Sequence, residues 1–207
     1  MIFNMMSATQ KTGRTLFYCL ALACISMIST GVIAKESIAA TKTRPAEWAV
    51  PLEIKGLPNL HRVDANLYRS AQPDATSGDA IALLGIKTVL NLRQRDKDKP
   101  LHNTNGISFK RYPLRTWDIE ERDILAVLRI LNDPANQPIL VHCTHGADRT
   151  GLMMASYRMI IQGWSKQAAI AEMKQGEYEY HVIWKNIERR IHKMDIEKMR
   201  AELYAEQ

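Results

Sequence analysis

The sequence predicts an α/β domain in which helices flank a central, mainly parallel sheet. From about Pro58 onward, short apolar runs rich in β-branched residues and leucine alternate with segments of helical period. That alternation is typical of a parallel sheet. Further helical segments gather toward the C-terminus. The chain has 207 residues, of which 46% are hydrophobic and 24% charged, so disordered and collagen-like classes are excluded.

The first half of the predicted domain is mostly strand. In chain order it contains a β-hairpin or two short edge strands around Asp64–Asn66 ("LHRV" and "NLYRS"), a short helix closed by Gly85 ("SGDAIALLG"), a buried strand ("IKTVLNLR"), a polar loop ("QRDKDKPLHNTNG") and a further strand ("ISFKRYPL"). Each strand is a run of strand-forming residues bounded by residues that favour turns.

The second half is mostly helical. Its elements are an amphipathic helix with acids in its first turn ("WDIEERDILAVLRILND"), a break ("DPANQP"), a buried strand ("ILVH"), an unusually apolar helix ("RTGLMMASYRMIIQG") and two amphipathic helices ("SKQAAIAEMKQG" and "YHVIWKNIERRIHKMD"). The acids favour a helix start because they complement its dipole. The apolar helix is expected to be central because it has no polar face.

Residues 1–34 predict a secretory signal peptide. They have a basic start, an apolar stretch and small residues at the end, which is the pattern of such signals. Cleavage after Ala34 is expected, with Ala40 as the second candidate and an uncleaved membrane anchor as the alternative. Residues 35–57 are predicted to be a linker. The mature protein would be exported, without stable membrane insertion.

Cleavage of this signal peptide would change the number of cysteines in the protein. Cleavage removes Cys19 and Cys24 and leaves Cys143 as the one thiol in an oxidising compartment. An unpaired cysteine there is either buried and inert or retained for its chemistry. The net charge of +6 mildly favours anionic partners. Because Lys and Arg are scattered rather than clustered, no nucleic-acid partner is expected.

The stretch "LVHCTHGADRTG" joins the buried strand to the apolar helix. A tight turn into a helix N-terminus directs several backbone N–H groups into one concavity, which binds anions. Gly146 permits the positive φ that such a turn needs, and Arg149 offers two donors to phosphate oxygens. The helix dipole and the guanidinium both favour the thiolate of Cys143. The loop therefore predicts phosphoryl transfer to sulfur.

Transfer from a phosphate ester also needs an acid that protonates the leaving oxygen. A helix that precedes a parallel strand runs antiparallel to it, so its N-terminus lies at the same end as Cys143. The acids that qualify by position are Asp118, Glu120, Glu121 and Asp123. We favour Asp118 because it lies in the loop rather than on the helix surface. The same carboxylate would then activate water, and Thr150 would donate to the departing sulfur.

The segment "HCTHGADRTG" resembles the signature of cysteine-dependent protein tyrosine and dual-specificity phosphatases, His-Cys-x-x-Gly-x-x-Arg-Thr/Ser. The stretches "NLYRSAQP" and "IKTVLNLR" resemble the bacterial and fungal branch of the dual-specificity enzymes. The leader and "YRMIIQGWSKQAAIAEM" resemble periplasmic members of Gram-negative bacteria. The likeness runs from about Asn59 to Met173. It implies a three-layer tyrosine phosphatase-like fold in a dual-specificity phosphatase domain at residues 58–207.

The resemblance also implies the activity and the roles of the residues. Phosphotyrosine would be hydrolysed through a phosphocysteine at Cys143, with Asp118 as general acid, and phosphoserine and phosphothreonine are further candidate substrates. His142 would order the loop. The phosphate would be bound by Thr144, His145, Gly146, Ala147, Asp148 and Arg149. No cofactor or metal is expected, and the partners would be phosphoproteins, including periplasmic parts of membrane proteins.

Some residues depart from the family pattern. Thr116–Asp118 stands where the tyrosine-specific enzymes have Trp-Pro-Asp, so the acid is assigned by position. The segment Lys-Asn-Arg-Tyr, which deepens the phosphotyrosine pocket in those enzymes, does not occur in the sequence. A shallower pocket with looser residue preference is therefore expected. Arg69 and Ser70 are expected to be structural, near the edge of the sheet.

Other interpretations remain open at this point. Cys143 could be a core residue, or a zinc ligand together with His142 and His145. The chain could be a catalytically silent phosphoprotein-binding module, an RNA 5′-triphosphatase-like phosphohydrolase or a rhodanese-like sulfur transferase. His145 and Asp148 are expected at the loop mouth, where they would tune substrate choice or simply face water. Asp148 would repel a polyanion there.

Overall fold

A six-stranded sheet lies in the part of the chain that the computed structural model describes, residues 44–95 and 104–205. Its strands are β1 (Val50–Pro51), β2 (His61–Arg62), β3 (Leu67–Ser70), β4 (Thr88–Asn91), β5 (Ser108–Arg111) and β6 (Ile139–His142). They are arranged in the order β1-β2-β3-β6-β4-β5. The pairs from β1 to β3 are antiparallel, and the pairs among β3, β6, β4 and β5 are parallel. The predicted mainly parallel sheet is confirmed.

Helices cover both faces of the sheet. They are α1 (Gly78–Leu83), α2 (Glu121–Asn132), α3 (Asp148–Ile160), α4 (Lys166–Gln175), α5 (Lys185–Lys193) and α6 (Ile196–Tyr204). Successive side chains of a strand point to opposite faces. Accordingly, Ile139 and Val141 of β6 join the apolar cluster formed with α2 to α6, whereas Leu140 packs in a second cluster with Ile81 of α1. The fold therefore has three layers.

Helix α3 occupies the middle of the larger helical layer. Every residue of α3 except Arg149 is buried, and the helix contacts α2, α4, α5 and α6. A helix enclosed in this way needs an apolar surface all round. The prediction of a central apolar helix is confirmed.

Two elements differ from the predictions because of contacts that are distant in the sequence. The hairpin of β2 and β3 is present, but β3 also pairs with β6. The expectation that Arg69 and Ser70 lie near the sheet edge is therefore wrong, since their strand has a neighbour on each side. Helix α5 begins at Lys185 rather than near Tyr180. The segment before it is held instead by the N–H of His181, which donates to a side chain at the start of α3.

The segment predicted as a linker is described from Arg44 onward. Trp48 and Ala49 within it are buried, and Val50–Pro51 forms β1. The Arg44 guanidinium donates to the Gly176 carbonyl at 2.9 Å. This part of the segment therefore packs against the fold, and Ala49 belongs to the larger apolar cluster.

Several predictions fall on residues that are not described. The signal peptide at residues 1–34, with Cys19 and Cys24, lies outside the described residues, as does 96–103 of the predicted polar loop. All described residues belong to one of the two units into which the chain divides, Lys42–Gln207. Within 44–95 and 104–205, none of the helices has the length and apolar character needed to cross a membrane.

Candidate active site

The candidate nucleophile lies in a loop between the central strand and the central helix. β6 ends at His142 and α3 begins at Asp148, so the loop comprises Cys143–Ala147. Because β6 has parallel neighbours on both sides, the loop emerges at the carboxyl edge of the sheet, where ligands of open α/β sheets bind. Cys143 is 2% exposed. Its burial alone would also fit a packing role, whereas the shape of the loop favours the nucleophile.

Gly146 determines the shape of this loop. Its φ of +72° is the left-handed conformation that the sequence predicted for this position. A Cβ atom on Gly146 would lie 2.5 Å from the backbone oxygen of Ser70. The Gln72 N–H also donates to the Thr144 carbonyl at 3.1 Å. The loop and the end of β3 are therefore packed backbone against backbone.

The N-terminus of α3 is available to an anion. No side chain caps it among the described residues, so its first N–H groups can be satisfied by a bound ligand. Arg149 is half-buried there, and its Nη2 donates to Thr144 Oγ1 at 3.0 Å. Thr150 is buried, and in the described part of the chain its hydroxyl has no hydrogen-bond partner. Both placements fit the predicted roles in phosphate binding and in donation to sulfur, which stay predictions.

A buried arginine supports the loop from inside the fold. Arg69 on β3 is 1% exposed, and its Nη2 donates to the Gly146 carbonyl at 2.6 Å. Its guanidinium carbon lies 3.6 Å from the centroid of the Tyr178 ring, a cation–π contact. Burial lowers the pKa of Arg69, and negative charge on Tyr178, Glu172 or Cys143 opposes that shift. The expectation of a merely structural residue missed this contact with the loop.

The same network continues through a buried ion pair. Arg158 Nη2 and Glu172 Oε1 are 2.8 Å apart, with side chains only 4% and 6% exposed. The Tyr178 hydroxyl (3.1 Å) and the Ala49 N–H (2.7 Å) both donate to Glu172 Oε1. Burial acts to raise the pKa of Glu172, but the hydrogen bonds and charge of Arg158 outweigh it, so the pKa lies below its ordinary value.

We call Arg69, Arg158, Glu172 and Tyr178 the underside of the phosphate loop. Sequence reasoning did not identify these residues as part of the site. The available signal was a charged residue at a buried position, since Arg158 lies in the central helix α3 and Arg69 lies in a strand with no exposed residue. Charged residues at such positions are almost always paired.

The predicted acid lies in a turn that the chain enters after it leaves β5. The chain leaves β5 at Arg111, at the same sheet edge as Cys143, and Asp118 follows in a turn closed by a bridge to Arg115. Arg115 Nη2 and Asp118 Oδ2 are 2.8 Å apart, and both side chains are about half exposed. The Thr116 carbonyl accepts from Asn186 Nδ2 at 2.8 Å, which ties the turn to α5.

Two of the other acids at this end of α2, Glu120 and Asp123, have structural partners. Asp123 Oδ2 accepts from the Glu120 N–H at 2.9 Å, and Glu120 and Asp123 together form a capping box. Asp123 Oδ1 also accepts from the Tyr112 hydroxyl at 3.1 Å. A capping box satisfies the orphan N–H groups of a helix start. These contacts favour Asp118 over Glu120 and Asp123, and its catalytic role stays a prediction.

The loop mouth differs from the expectation at Asp148. Its side chain is buried, and its two oxygens accept from the N–H of His181 (3.0 Å) and from His181 Nδ1 (2.9 Å). The alternative that Asp148 simply faces water is therefore wrong, and its expected repulsion of polyanions stays a prediction. His145 is exposed, and its ring centroid lies 5.2 Å from that of His181.

We call a set of exposed residues of the loop, of the segment before α5 and of the turn after β5 the rim. They are Trp117, Asp118, Thr144, His145, His181, Val182 and Ile183. The alternative zinc site of His142, Cys143 and His145 is not assembled. His142 is buried, with Nδ1 3.2 Å from the Cys143 carbonyl, whereas His145 belongs to the exposed rim.

Comparison with known proteins gives concordant matches. Residues 57–196 match the tyrosine phosphatase family. The dual specificity protein phosphatase TpbA of Pseudomonas aeruginosa strain PAO1 is 36% identical over 137 residues, which cover 66% of this chain and 62% of that protein. TpbA of strain UCBPP-PA14 is 38% identical over 121 residues, covering 58% of this chain and 55% of that protein. The chain thus spans less than two thirds of the length of these relatives.

The crystal structure of P. aeruginosa TpbA superimposes with a TM-score of 0.70 at 32% identity, covering 78% of this chain and 99% of that one. A Cys-to-Ser form of TpbA in complex with phosphotyrosine gives the same TM-score and identity and covers 78% of this chain and 98% of that one. The likeness confirms the predicted three-layer fold.

Proposed function

Because the chain belongs to the tyrosine phosphatase family, we propose that it is a protein phosphatase that hydrolyses phosphotyrosine through a phosphocysteine intermediate. One observation carries the proposal. Cys143 lies buried at the base of a left-handed turn that leads into the uncapped N-terminus of α3, beside Arg149. The relatives named as dual specificity phosphatases support it, as does the TpbA complex with phosphotyrosine.

In the first step the thiolate of Cys143 attacks phosphorus, and the bond from phosphorus to the ester oxygen breaks. Arg149 and the N–H groups at the start of α3 hold the equatorial oxygens, whose negative charge they stabilise. The proton of Asp118 passes to the leaving phenoxide. For this, Asp118 leaves the ion pair with Arg115 that it forms in the described structure.

In the second step water hydrolyses the phosphocysteine. The Asp118 carboxylate, now deprotonated, takes a proton from the water, whose oxygen attacks phosphorus. The bond from phosphorus to sulfur breaks, and inorganic phosphate leaves. The buried Thr150 hydroxyl, which has no other partner among the described residues, donates to the departing sulfur and makes it a better leaving group.

Hydrolysis of p-nitrophenyl phosphate and of a phosphotyrosine peptide tests the proposal. We expect turnover that persists in EDTA and that Cys143→Ser lowers by roughly 10³-fold or more, since loss of a nucleophile removes most of the rate enhancement. Binding of the peptide without turnover would instead indicate a silent phosphoprotein-binding module. Release of phosphate from an RNA 5′-triphosphate, or transfer of sulfur from thiosulfate to cyanide, without hydrolysis of the peptide would contradict the proposal as well.

Asp118→Asn tests the general acid separately. Turnover should fall by roughly 10²–10⁴-fold because the leaving group departs unprotonated. Binding of inorganic phosphate should be retained. Glu121→Gln, in the first turn of α2, is the matched control and should keep the wild-type rate. If Asp118→Asn turned over at the wild-type rate, Asp118 would not be the acid. A reduced rate in Glu121→Gln would assign the proton to Glu121.

We also propose that the protein is exported to the periplasm and acts on phosphoproteins there, including periplasmic parts of membrane proteins. The basic start, apolar stretch and small residues of 1–34 support this. N-terminal sequencing of the protein recovered from the periplasm should show a start at Lys35. A cytoplasmic protein with an intact N-terminus would contradict it.

A further inference from the structure

Three side chains at the opening of the phosphate loop form a cluster that the phosphatase chemistry does not use. His145 and Asp148 belong to the loop and the start of α3, and His181 lies in the segment before α5. One ligand atom of each lies within 4.8 Å of one ligand atom of the others. In the part of the chain that the structure describes, no other set of three His, Cys, Asp or Glu side chains meets this condition.

The spacing of the cluster matches the dimensions of a small coordination sphere. Ligand atoms about 2.0–2.1 Å from a tetrahedral zinc ion are separated from each other by about 3.3 Å. Asp148 Oδ2 and His181 Nδ1 are 2.9 Å apart, and the widest separation in the cluster is below 4.8 Å. The separation of about 3.3 Å that a zinc ion requires lies between these two values. Small rotations of the exposed His145 and His181 rings would therefore bring all three atoms onto one ion.

The backbone around the cluster is already held in place. Asn59 Nδ2 donates both to the His145 carbonyl (2.8 Å) and to the Tyr178 carbonyl (3.1 Å), which joins the loop to the segment that carries His181. The His181 N–H donates to Asp148 Oδ1 and leaves Oδ2 to face the imidazole. Hydrogen bonds of this kind orient ligands and strengthen metal binding.

We propose that His145, Asp148 and His181 form a binding site for a divalent transition-metal ion, with Zn²⁺ as its best match, at the opening of the phosphate loop. The ion takes the position of the proton that now joins Asp148 to His181. Two imidazole nitrogens and one carboxylate oxygen suit zinc and its neighbours better than Ca²⁺ or Mg²⁺, which prefer oxygen ligands.

The site leaves one coordination position open. Three protein ligands with a fourth, exchangeable position are typical of zinc sites that bind a further ligand. Because the side chains of His145 and His181 are exposed, the ion has a path to the site from solvent. Its charge would lie next to the Thr144 to Ala147 turn and would be a large local contribution to the potential there.

Metal binding to the full chain in a Cys143→Ser background tests the proposal. That substitution removes the thiolate, the strongest competing ligand, and the measurement needs no turnover. It therefore stands apart from the proposed phosphatase activity. Zinc is titrated against a chromophoric chelator, and Co²⁺ is titrated as a spectroscopic probe. We expect one equivalent to bind, with Co²⁺ d–d bands and no sulfur-to-cobalt charge-transfer band.

The ligands are tested one at a time. His145→Gln and His181→Gln should each weaken binding at least about tenfold, since even outer-sphere changes reach that size. His145→Gln leaves both hydrogen bonds between Asp148 and His181 intact, so the segment before α5 stays in place. His192→Gln is the matched control on α5, where the side chain is 60% exposed, and should bind as tightly as the parent protein. Loss of binding in Cys143→Ser, or equal affinity in all three variants, would overturn the proposal.

Discussion

The two sides of the phosphate loop are built from opposite kinds of environment. The underside consists of charged and aromatic groups that are almost fully enclosed, with Arg69 at 1% and Glu172 at 4% exposure. The rim consists of side chains that face solvent, among them Trp117 at 59% and Ile183 at 77% exposure. The underside donates to the Gly146 carbonyl, whereas the candidate acid and two of the three candidate metal ligands, His145 and His181, lie on the rim.

Because of this difference, the underside determines the shape of the site and the rim determines its selectivity. A loop that binds a tetrahedral oxyanion must hold its donors in position before the substrate arrives, because reorganisation during the reaction would cost rate. Buried hydrogen bonds in a low-dielectric interior supply that rigidity. The rim can exchange its contacts with solvent for contacts with a substrate at little cost to stability. Substitutions on the underside should therefore lower stability or disturb the shape of the loop, whereas substitutions on the rim should alter binding or turnover with little effect on stability.

The largest effect is expected from Arg158→Met. It leaves the Glu172 carboxylate buried without the partner 2.8 Å away, and loss of one member of a buried pair costs about 3–5 kcal/mol. The free energy of unfolding in urea measures it. Lys174→Met is the matched control, because its pair with Glu188 is about one third exposed and should be worth less than about 1 kcal/mol. Equal losses in the two variants would remove the distinction between underside and surface.

The underside should also make the protein acid-sensitive through His61, whose ring packs edge-on against Tyr178 at 4.6 Å. Burial lowers the pKa of His61 from 6.5 to about 4. The folded state therefore resists a proton that the unfolded state accepts. Stability from this group is fully present above pH 6.5 and is lost as the pH falls toward 4. The loss by pH 4.5 is on the order of 2 kcal/mol.

Urea unfolding of wild type and His61→Gln at pH 7.5 and at pH 4.5 measures this contribution. The wild type should lose on the order of 2 kcal/mol more than the variant between the two pH values, since the carboxylates common to both proteins cancel. Parallel losses in the two proteins would show that His61 takes up its proton as readily in the folded state as in the unfolded one.

A smaller effect is expected from Arg69→Met, which removes the donor to Gly146 and the contact with Tyr178. A hydrogen bond from a charged group and a desolvated cation–π contact are each worth about 2 kcal/mol. Because Met fills most of the space, the packing is largely kept. Loss of the hydrogen bond to the loop, worth about 2 kcal/mol, should then lower kcat/KM by roughly 30-fold. Arg62→Met, on the neighbouring strand and exposed, should leave kcat/KM unchanged. An unchanged value in Arg69→Met would show that the loop keeps its shape without the underside.

The smallest effect on stability is expected on the rim. Val182→Ser and Ile183→Ser change side chains that are 73% and 77% exposed, and such substitutions shift the free energy of unfolding by less than about 0.5 kcal/mol. Val89→Ser, at 1% exposure in β4, is the buried control and should cost more than about 2 kcal/mol. A large loss from the rim variants would indicate that this segment carries stability.

How much of the site could be predicted depends on how far apart its residues lie in the sequence. Cys143, Gly146 and Arg149 lie within seven consecutive residues, so their joint geometry follows from local spacing and from the elements on either side. The strands and α3 were predictable because hydrophobic period is a local property. The left-handed Gly146 was predictable because the turn into α3 requires it.

The underside was not predictable from local spacing. Arg69 contacts a residue 77 positions away, and Asn59 contacts residues 86 and 119 positions away. A periodicity reveals that a position is buried but not which distant group satisfies the charge there. The start of α5 was misplaced for the same reason, because His181 is held by Asp148, 33 positions earlier.

The bridge made by Asn59 has a consequence for the order in which the protein assembles. Its side chain joins the carbonyl of His145 to that of Tyr178, so the loop is complete only when three distant stretches of chain have met. Contacts of such high sequence separation form late, because loop-closure entropy opposes them. The helices and the hairpin can form early, but the phosphate loop has to wait until the segment that carries Tyr178 has reached its place. A chain that has not yet completed this step would carry an accessible thiol and no phosphate site.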